Sequence, residues 1–474
     1  MNEITENFED LVGKTIRTVT NQEYTLKKMV GQGGQGVVFE DESGKRMIKL
    51  YYRSGCNLID ETTLERLEYI SKVKKPKNFV KIFDIIEKPY IGYVMEKVEE
   101  YTPLNSYLHP PKEVNTTEEF VAWYNRGLGL RERLFLGYII AKAFGELEKS
   151  NLAYCDISGN NVLVKIEPST ASVKMIDIDN IYLSGKKSRA SVLGTPRYIA
   201  PEVIRQEHNP DSFSDNYSLA VLLFQLLRIG HPYISDDILD GTPEDEENAL
   251  AGHCDYVNDE NSTNMLPASF VLTEKLKELF KKAFVDGKNN RMARPSAREF
   301  EFALLDASNK TIQCPSCHAY HYPQPKNNWL CPWCDSLSKP QARLNFYDLW
   351  IESQEEKKRT LVNSYILRDN EKNHIKNFYI FSSDSMKTSE NFVTIPKNEE
   401  GYWVYNEFSK TGIQVRNVET QQFIKVDDKD DPYLLNNGDE IWFDINKNDY
   451  VIYNGKKYSI FRIARFVLES KPEE

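Results

Sequence analysis

Gly31-Gln32-Gly33-Gly34-Gln35-Gly36 holds a G-x-G-x-x-G spacing, and glycine is the residue that lets backbone N–H groups approach phosphate without a Cβ in the way. The next segment of chain selects the chemistry. A dinucleotide site needs a helix there. Here Val37-Val38-Phe39-Glu40 continues as a strand, Ser43-Gly44 turns, and Arg46-Met47-Ile48-Lys49-Leu50 returns as a second strand. The glycines therefore sit at the tip of a β-hairpin. Lys49 lies on the returning strand, where an ammonium reaches the α- and β-phosphates of a nucleotide. A carboxylate partner is expected from the next helix, Ile59–Val73, which offers Glu61, Glu65 and Glu68. Spacing and the surrounding apolar positions select Glu65.

A second chemistry lies past the middle of the chain. Cys314-Pro315-Ser316-Cys317 and Cys331-Pro332-Trp333-Cys334 are separated by thirteen residues. Each pair makes a tight knuckle, and two knuckles supply four thiolates to one tetrahedral Zn²⁺. A redox role for one Cys-Pro-x-Cys is the alternative, disfavoured by two copies so close together and by the lack of a thioredoxin-like βαβ context. The pattern resembles a zinc ribbon, a closed structural site. His318 and His321 are expected to be bystanders, and Cys56, Cys155 and Cys254 free thiols.

Tyr154-Cys155-Asp156-Ile157-Ser158-Gly159-Asn160-Asn161 comes after a long helical pattern and leads into a strand. Further on, Val173-Lys174-Met175-Ile176 runs into Asp177-Ile178-Asp179, which places Asp177 sixteen residues beyond Asn161. These segments resemble the catalytic loop and metal-binding loop of eukaryotic-type protein kinases. Gly194-Thr195-Pro196-Arg197-Tyr198-Ile199-Ala200-Pro201-Glu202 resembles the end of a kinase activation segment. Asp215-Asn216-Tyr217-Ser218-Leu219 resembles the start of the buried helix that anchors the catalytic loop, and Arg294-Pro295-Ser296 the late arginine that pairs with Glu202. The likeness covers about residues 24–305.

The resemblance implies a Ser/Thr protein kinase that transfers the γ-phosphate of ATP to protein hydroxyls, with autophosphorylation. Such catalysis is mainly positioning and electrostatics. It implies Asp156 as the group that accepts or orients the substrate hydroxyl proton. Asn161 and Asp177 would hold Mg²⁺, which prefers oxygen ligands. Lys49 and Glu65 would set the phosphates. Gly31, Gly33, Gly34, Gly36 and Val38 would cover the nucleotide, and Met95, Glu96 and Val98 would meet its adenine, with Met95 as gatekeeper.

Four positions depart from that family's pattern. Tyr154 and Cys155 replace the usual His-Arg, so phosphate on the activation loop lacks its arginine partner and weak control by phosphorylation is expected. Ser158 replaces a lysine near the γ-phosphate. Asp179 replaces the glycine of the metal-loop triplet, restricting the backbone and bringing a carboxylate near the metal. Ser158 and Asp179 favour the alternative, a nucleotide-binding pseudokinase scaffold; retained Lys49, Asp156, Asn161 and Asp177 favour the enzyme.

The elements needed to place these groups are legible as an organisation. Residues 1–22 read as a polar N-terminal arm, 23–98 as a small β-rich lobe, 99–308 as a larger helical lobe, 309–338 as the zinc ribbon and 339–474 as an all-β domain. The fold class is α+β: a bilobal kinase fold, then a zinc ribbon and a β-sandwich. In the last region Asn454-Gly455 marks a hairpin. Asn406–Gly412 and Leu434-Leu435-Asn436-Asn437-Gly438-Asp439-Glu440-Ile441 resemble the second half of a forkhead-associated domain, which implies a phosphothreonine-containing protein partner; a β-sandwich used for protein docking is the alternative. The Gly-Arg and Ser-x-x-His elements of that family are not visible.

With 474 residues and 40% hydrophobic content, the chain can build several cores. Its net charge of −11 argues against a nucleic-acid footprint. The acidic N-terminus lacks the apolar stretch of a secretory signal. The longest apolar run, Leu219–Leu227, is broken by Gln225 and reads as a buried helix, too short for a bilayer. A reducing cytoplasmic location, without a membrane partner, is expected.

Overall fold

In a computed structural model of the chain, residues 8–33, 35–52, 61–167, 170–183, 194–257, 262, 265–323, 329–338, 341–351, 357–381, 387–408, 412–427, 429–443, 450–453 and 455–468 are described. They fall into two units. One takes the chain as far as Trp123 together with Phe135–Glu301; the other takes Tyr124–Leu134 and the chain from Phe302 onward.

The first unit opens with β1 (Thr15–Arg17), β2 (Glu23–Gln32), β3 (Gly36–Asp41), β4 (Arg46–Tyr51), α1 (Glu61–Lys72), β5 (Ile82–Ile85) and β6 (Gly92–Glu96). The strands form one antiparallel sheet in the order β1-β2-β3-β4-β6-β5. The β3–β4 turn is closed by Asp41, whose carboxylate accepts the N–H groups of Lys45 and Arg46 at 3.0 and 2.8 Å. Gly44 supplies the left-handed residue there, at φ 68°. A Cβ at Gly36 would stand 2.1 Å from the Leu50 carbonyl oxygen, and one at Gly92 would stand 2.0 Å from that of Lys49. Glycine at both positions is what lets β3 and β6 close on β4 around Lys49.

The segment read as a polar arm is part of this fold. Phe8, Leu11 and Ile16 are buried with Leu26, Phe39, Ile48 and Leu50 in one core, and β1 is the edge strand of the sheet. Its acidic composition hid three apolar side chains that the sheet needs covered.

The chain continues through β7 (Thr102–Pro103), α2 (Thr117–Gly127), α3 (Leu130–Lys149), β8 (Leu152–Ala153), β9 (Val162–Glu167), β10 (Thr170–Met175), β11 (Tyr182–Leu183), α4 (Pro201–Ile204), α5 (Ser212–Arg228), α6 (Asp236–Leu239), α7 (Pro243–Leu250), α8 (Ala268–Val271), α9 (Glu274–Lys281) and α10 (Ala297–Asn309). The apolar run falls on α5, where Leu219–Leu227 is buried. A helix apolar on all sides belongs in a core. Asp211 caps it, accepting from the N–H groups of Phe213 and Ser214 at 2.9 and 3.1 Å. Among the described residues, no helix is long and apolar enough to cross a membrane.

The second unit carries β12 (Ile312–Gln313) and β13 (Tyr320–His321), paired with each other, and then an all-β region. That region holds β14 (Arg343–Ile351), β15 (Lys357–Ile366), β16 (His374–Lys376), the single turn α11 (Asn377–Ile380), β17 (Asn391–Thr394), β18 (Trp403–Val404), β19 (Ile413–Arg416), β20 (Phe423–Val426), β21 (Tyr433–Leu434), β22 (Glu440–Phe443), β23 (Tyr450–Tyr453) and β24 (Lys456–Val467). Its main sheet runs β15-β14-β24-β22-β19-β20, with β23 paired to β24. Tyr453 and Lys456 face each other across that last hairpin; Asn454 lies outside the described residues. Asp439 is fully buried and accepts from the N–H groups of Val418 and Asn436, both at 2.8 Å, and from the Tyr433 hydroxyl at 3.0 Å. Gly438 before it is left-handed at φ 94°. The Gly-Asp pair is thus a turn lock that orders the entry to β22. In the same unit, Trp333 stacks on Tyr124 with ring centres 5.4 Å apart and donates its indole N–H to the Tyr320 carbonyl at 3.1 Å.

Candidate active site

A cleft of about 850 Å³ lies in the first unit. Gly31, Gly33, Gly36 and Val38 line it from the hairpin, Lys49 from β4, and Met95, Glu96 and Val98 from the end of β6 and beyond. Asp156 and Asp177 line it from the loops flanking β9 and β10. Gly34 lies outside the described residues. Lys49 enters because β4 is sandwiched: Val38 faces it on one side and Tyr93 on the other.

The ammonium of Lys49 meets Asp177 at 3.1 Å and Asp179 at 3.0 Å. Burial pulls its pKa down, but the two carboxylates outweigh this and hold it above the ordinary lysine value. Asp179 has no exposed side chain, whereas Asp177 is 38% exposed and faces the cleft. The Tyr51 hydroxyl donates to the same Asp179 oxygen that meets Lys49. Burial would push Asp179 up, yet Lys49 and Tyr51 hold its carboxyl below the usual range. Its other oxygen, Oδ1, is buried without a hydrogen bond among the described residues.

Glu65 does not take the part expected of it. It is exposed on α1 and makes no ion pair among the described residues. Spacing along one helix cannot see Asp179, which is 130 positions away from Lys49 in sequence. A turn delivers it: Asp177 is left-handed at φ 51° and opens a short helical turn over Ile178–Asn180.

Asp156 and Asn161 are brought together. The Asn161 amide donates to the Asp156 carbonyl and carboxylate, both at 2.9 Å. The Thr195 hydroxyl donates to the other carboxylate oxygen at 2.6 Å. Burial raises the Asp156 pKa above the usual aspartate value, against these hydrogen bonds. Thr195 is visible in the sequence as part of a motif, but this contact is not. Tyr51 was missed too, although its place two residues after Lys49 on a strand puts both on one face.

The frame beneath the loop is built from the chain's departures. The Tyr154 hydroxyl donates to the Ile176 carbonyl, and its ring meets Phe79 and Phe144 edge-on. The N–H groups of Tyr154 and Cys155 donate to Asp215 at 2.5 and 2.8 Å. Burial pushes that carboxyl up to about 7, against both bonds. Ser158 is buried, and its hydroxyl has no partner among the described residues. Arg294 reaches Glu202 as expected, at 2.7 Å.

In the second unit Cys314, Cys317, Cys331 and Cys334 converge, with all four sulfurs within 4.8 Å of one another. Cys314 and Cys334 are 3.6 Å apart, Cys317 and Cys331 3.7 Å. His321 is engaged elsewhere, with Ser338 at 2.8 Å and the Tyr322 carbonyl at 2.9 Å.

Residues 24–302 match the protein kinase domain family. The chain is 28% identical over 180 residues to serine/threonine-protein kinase dkf-2 of Caenorhabditis briggsae, covering 36% of this chain and 15% of that protein. It is 27% identical over 227 residues to serine/threonine-protein kinase ULK1 of Homo sapiens, covering 46% and 20%. It is 28% identical over 214 residues to serine/threonine-protein kinase D2 of Homo sapiens, covering 44% and 23%. The matches thus span about a quarter or less of these relatives' own lengths.

Proposed function

The chain belongs to the protein kinase domain family, and from that premise we propose that it is a Ser/Thr protein kinase acting on protein hydroxyls, its own included. The observation that carries the reading is that Lys49, Asp156 and Asp177 line one cleft, with Asn161 hydrogen-bonded to Asp156 behind it. Residues 23–98 and 99–308 are its two lobes.

The cleft has room for a nucleotide. Backbone groups of Val98 make no hydrogen bond among the described residues, which leaves them for adenine. Lys49 places the α- and β-phosphates. Asp177 and Asn161 offer oxygens suited to Mg²⁺, which when bound neutralises phosphate charge. Asp156 accepts the proton of the incoming hydroxyl, and burial that raises its pKa makes it a better base. Thr195 holds the carboxylate's orientation.

The test is a radiolabelled-ATP assay of wild type against Asp156→Ala. Incorporation into protein by wild type alone is expected; equal signal from both would remove the enzyme reading. The rival, a nucleotide-binding scaffold, draws on Ser158, which leaves one cation fewer near the γ-phosphate.

The four cysteines suit Zn²⁺. Tetrahedral coordination with Zn–S bonds of about 2.3 Å requires sulfur separations of roughly 3.8 Å, and the closer pairs stand at 3.6 and 3.7 Å. We assign 309–338 as a structural zinc ribbon. We also assign phosphothreonine-peptide binding to a forkhead-associated-like β-sandwich in residues 339–474, on the Leu-x-x-Gly-Asp-x-Ile resemblance. Equal affinity for phosphorylated and unphosphorylated peptides would remove that assignment. The reduced thiols fit a cytoplasmic location.

A further inference from the structure

We propose that Asp179, steadied by Tyr51, is the positioning residue that holds Lys49 for phosphate binding, in the part the helix glutamate was expected to play. The proposal rests on the kinase reading above.

Three observations carry it. Asp179 Oδ2 lies 3.0 Å from the Lys49 ammonium, inside the protein, with its side chain sealed from water. The Tyr51 hydroxyl donates to that same oxygen from the strand that carries Lys49, so strand and metal loop are tied at two points. On α1, Glu65 and Glu68 are both exposed.

The physical consequence comes from burial. A buried lysine needs a fixed anion in contact to stop its four-carbon stem from sampling other rotamers, and Asp179 at 3.0 Å supplies one. Asp177 cannot be the only anchor, because it is the carboxylate assigned to the metal. Asp179 frees it: one carboxylate orients the ammonium, the other is left for the cation. Setting of Lys49 then depends on the metal loop and not on where α1 sits.

The test is a double-mutant cycle on the full chain. Affinity for a non-hydrolysable ATP analogue with Mg²⁺ is measured by calorimetry for wild type, Asp179→Asn, Lys49→Met and the double variant. Asp179→Asn is expected to weaken binding at least tenfold when Lys49 is present and less than twofold in the Lys49→Met background. Steady-state kinetics of Asp179→Asn should show KM for ATP rising more than kcat falls. An equal loss in both backgrounds would mean that Asp179 acts directly on the metal or the fold, and would overturn the anchor while leaving the kinase reading intact. A larger loss from Glu65→Gln than from Asp179→Asn would overturn it as well. Wild type that binds no nucleotide would bring down both readings. Should Asp179→Asn fail to fold by thermal melting, Tyr51→Phe enters the same cycle. It is expected to weaken binding two- to fivefold only when Lys49 is present; equal loss in both backgrounds overturns the anchor.

Discussion

The guanidinium of Arg294 donates to both carboxylate oxygens of Glu202, at 2.7 Å each, across ninety-two positions of sequence. Their side chains are 0% and 5% exposed. Removing one member of such a pair strands the other charge in the interior, at a cost of about 3–5 kcal/mol. Arg294→Met should therefore lower the urea midpoint of the first unit sharply. Pairing it with Glu202→Leu should restore part of the loss, since no charge is then left alone. A double variant as unstable as the single would contradict this account.

His231 predicts an acid-sensitive contact. Its Nε2 meets the Arg197 carbonyl at 2.7 Å, and its Nδ1 accepts the Tyr233 N–H at 3.2 Å. One neutral tautomer satisfies both; a protonated ring cannot accept from Tyr233. Burial, with Arg197 nearby and Glu246 opposing it, pulls its pKa from 6.5 to about 4. The unfolded chain then binds more protons between those values, so the stability His231 contributes is complete above pH 6.5 and is lost as pH falls toward 4. The full effect is about 3 kcal/mol. Asp215, raised to about 7, works in the opposite sense, losing stability as pH rises toward that value. The measurement is accordingly a difference: denaturation of wild type minus His231→Gln across about pH 4–7, expected to slope upward with pH.

Metal removal offers a third check. A chelator strong enough to strip Zn²⁺ should loosen the two cysteine knuckles, and with them the stacking of Trp333 on Tyr124. Tryptophan fluorescence should change on chelation and recover on adding back Zn²⁺. Cys331→Ser should behave like the chelated protein, and elemental analysis of wild type should find one zinc per chain.

Control by activation-loop phosphate should be weak. Cys155 stands before Asp156, where a cation would be needed to hold such a phosphate, and its backbone N–H is committed to Asp215. Phosphatase treatment should change the rate less than tenfold. Cys155→Arg should increase the dependence if the side chain at that position is what couples loop to site.

Much of the site was legible because its groups sit in short motifs. Asp156 and Asn161 are five residues apart and meet directly, and Lys49 is placed by the hairpin pattern. Glu65 was misjudged for a physical reason: a helix offers several equivalent carboxylates, while the contact that forms depends on a left-handed residue at Asp177 aiming a loop across the sheet. The N-terminal arm was misread because composition averages over Phe8, Leu11 and Ile16, which are scattered among polar residues in sequence yet share one core. In the β region, Gly438-Asp439 was legible as a motif, but what it does there is hold a turn together.

The stacking of Trp333 on Tyr124 bears on how this protein can be cut. Tyr124 has no solvent-exposed surface, lies on α2, and belongs with residues beyond Phe302. A fragment ending at Asn309, the last residue of α10, would peel the indole from that ring and wet an aromatic face the folded chain keeps dry. Expression trials of such a truncation should yield aggregates, and the shortest soluble piece should run past Cys334.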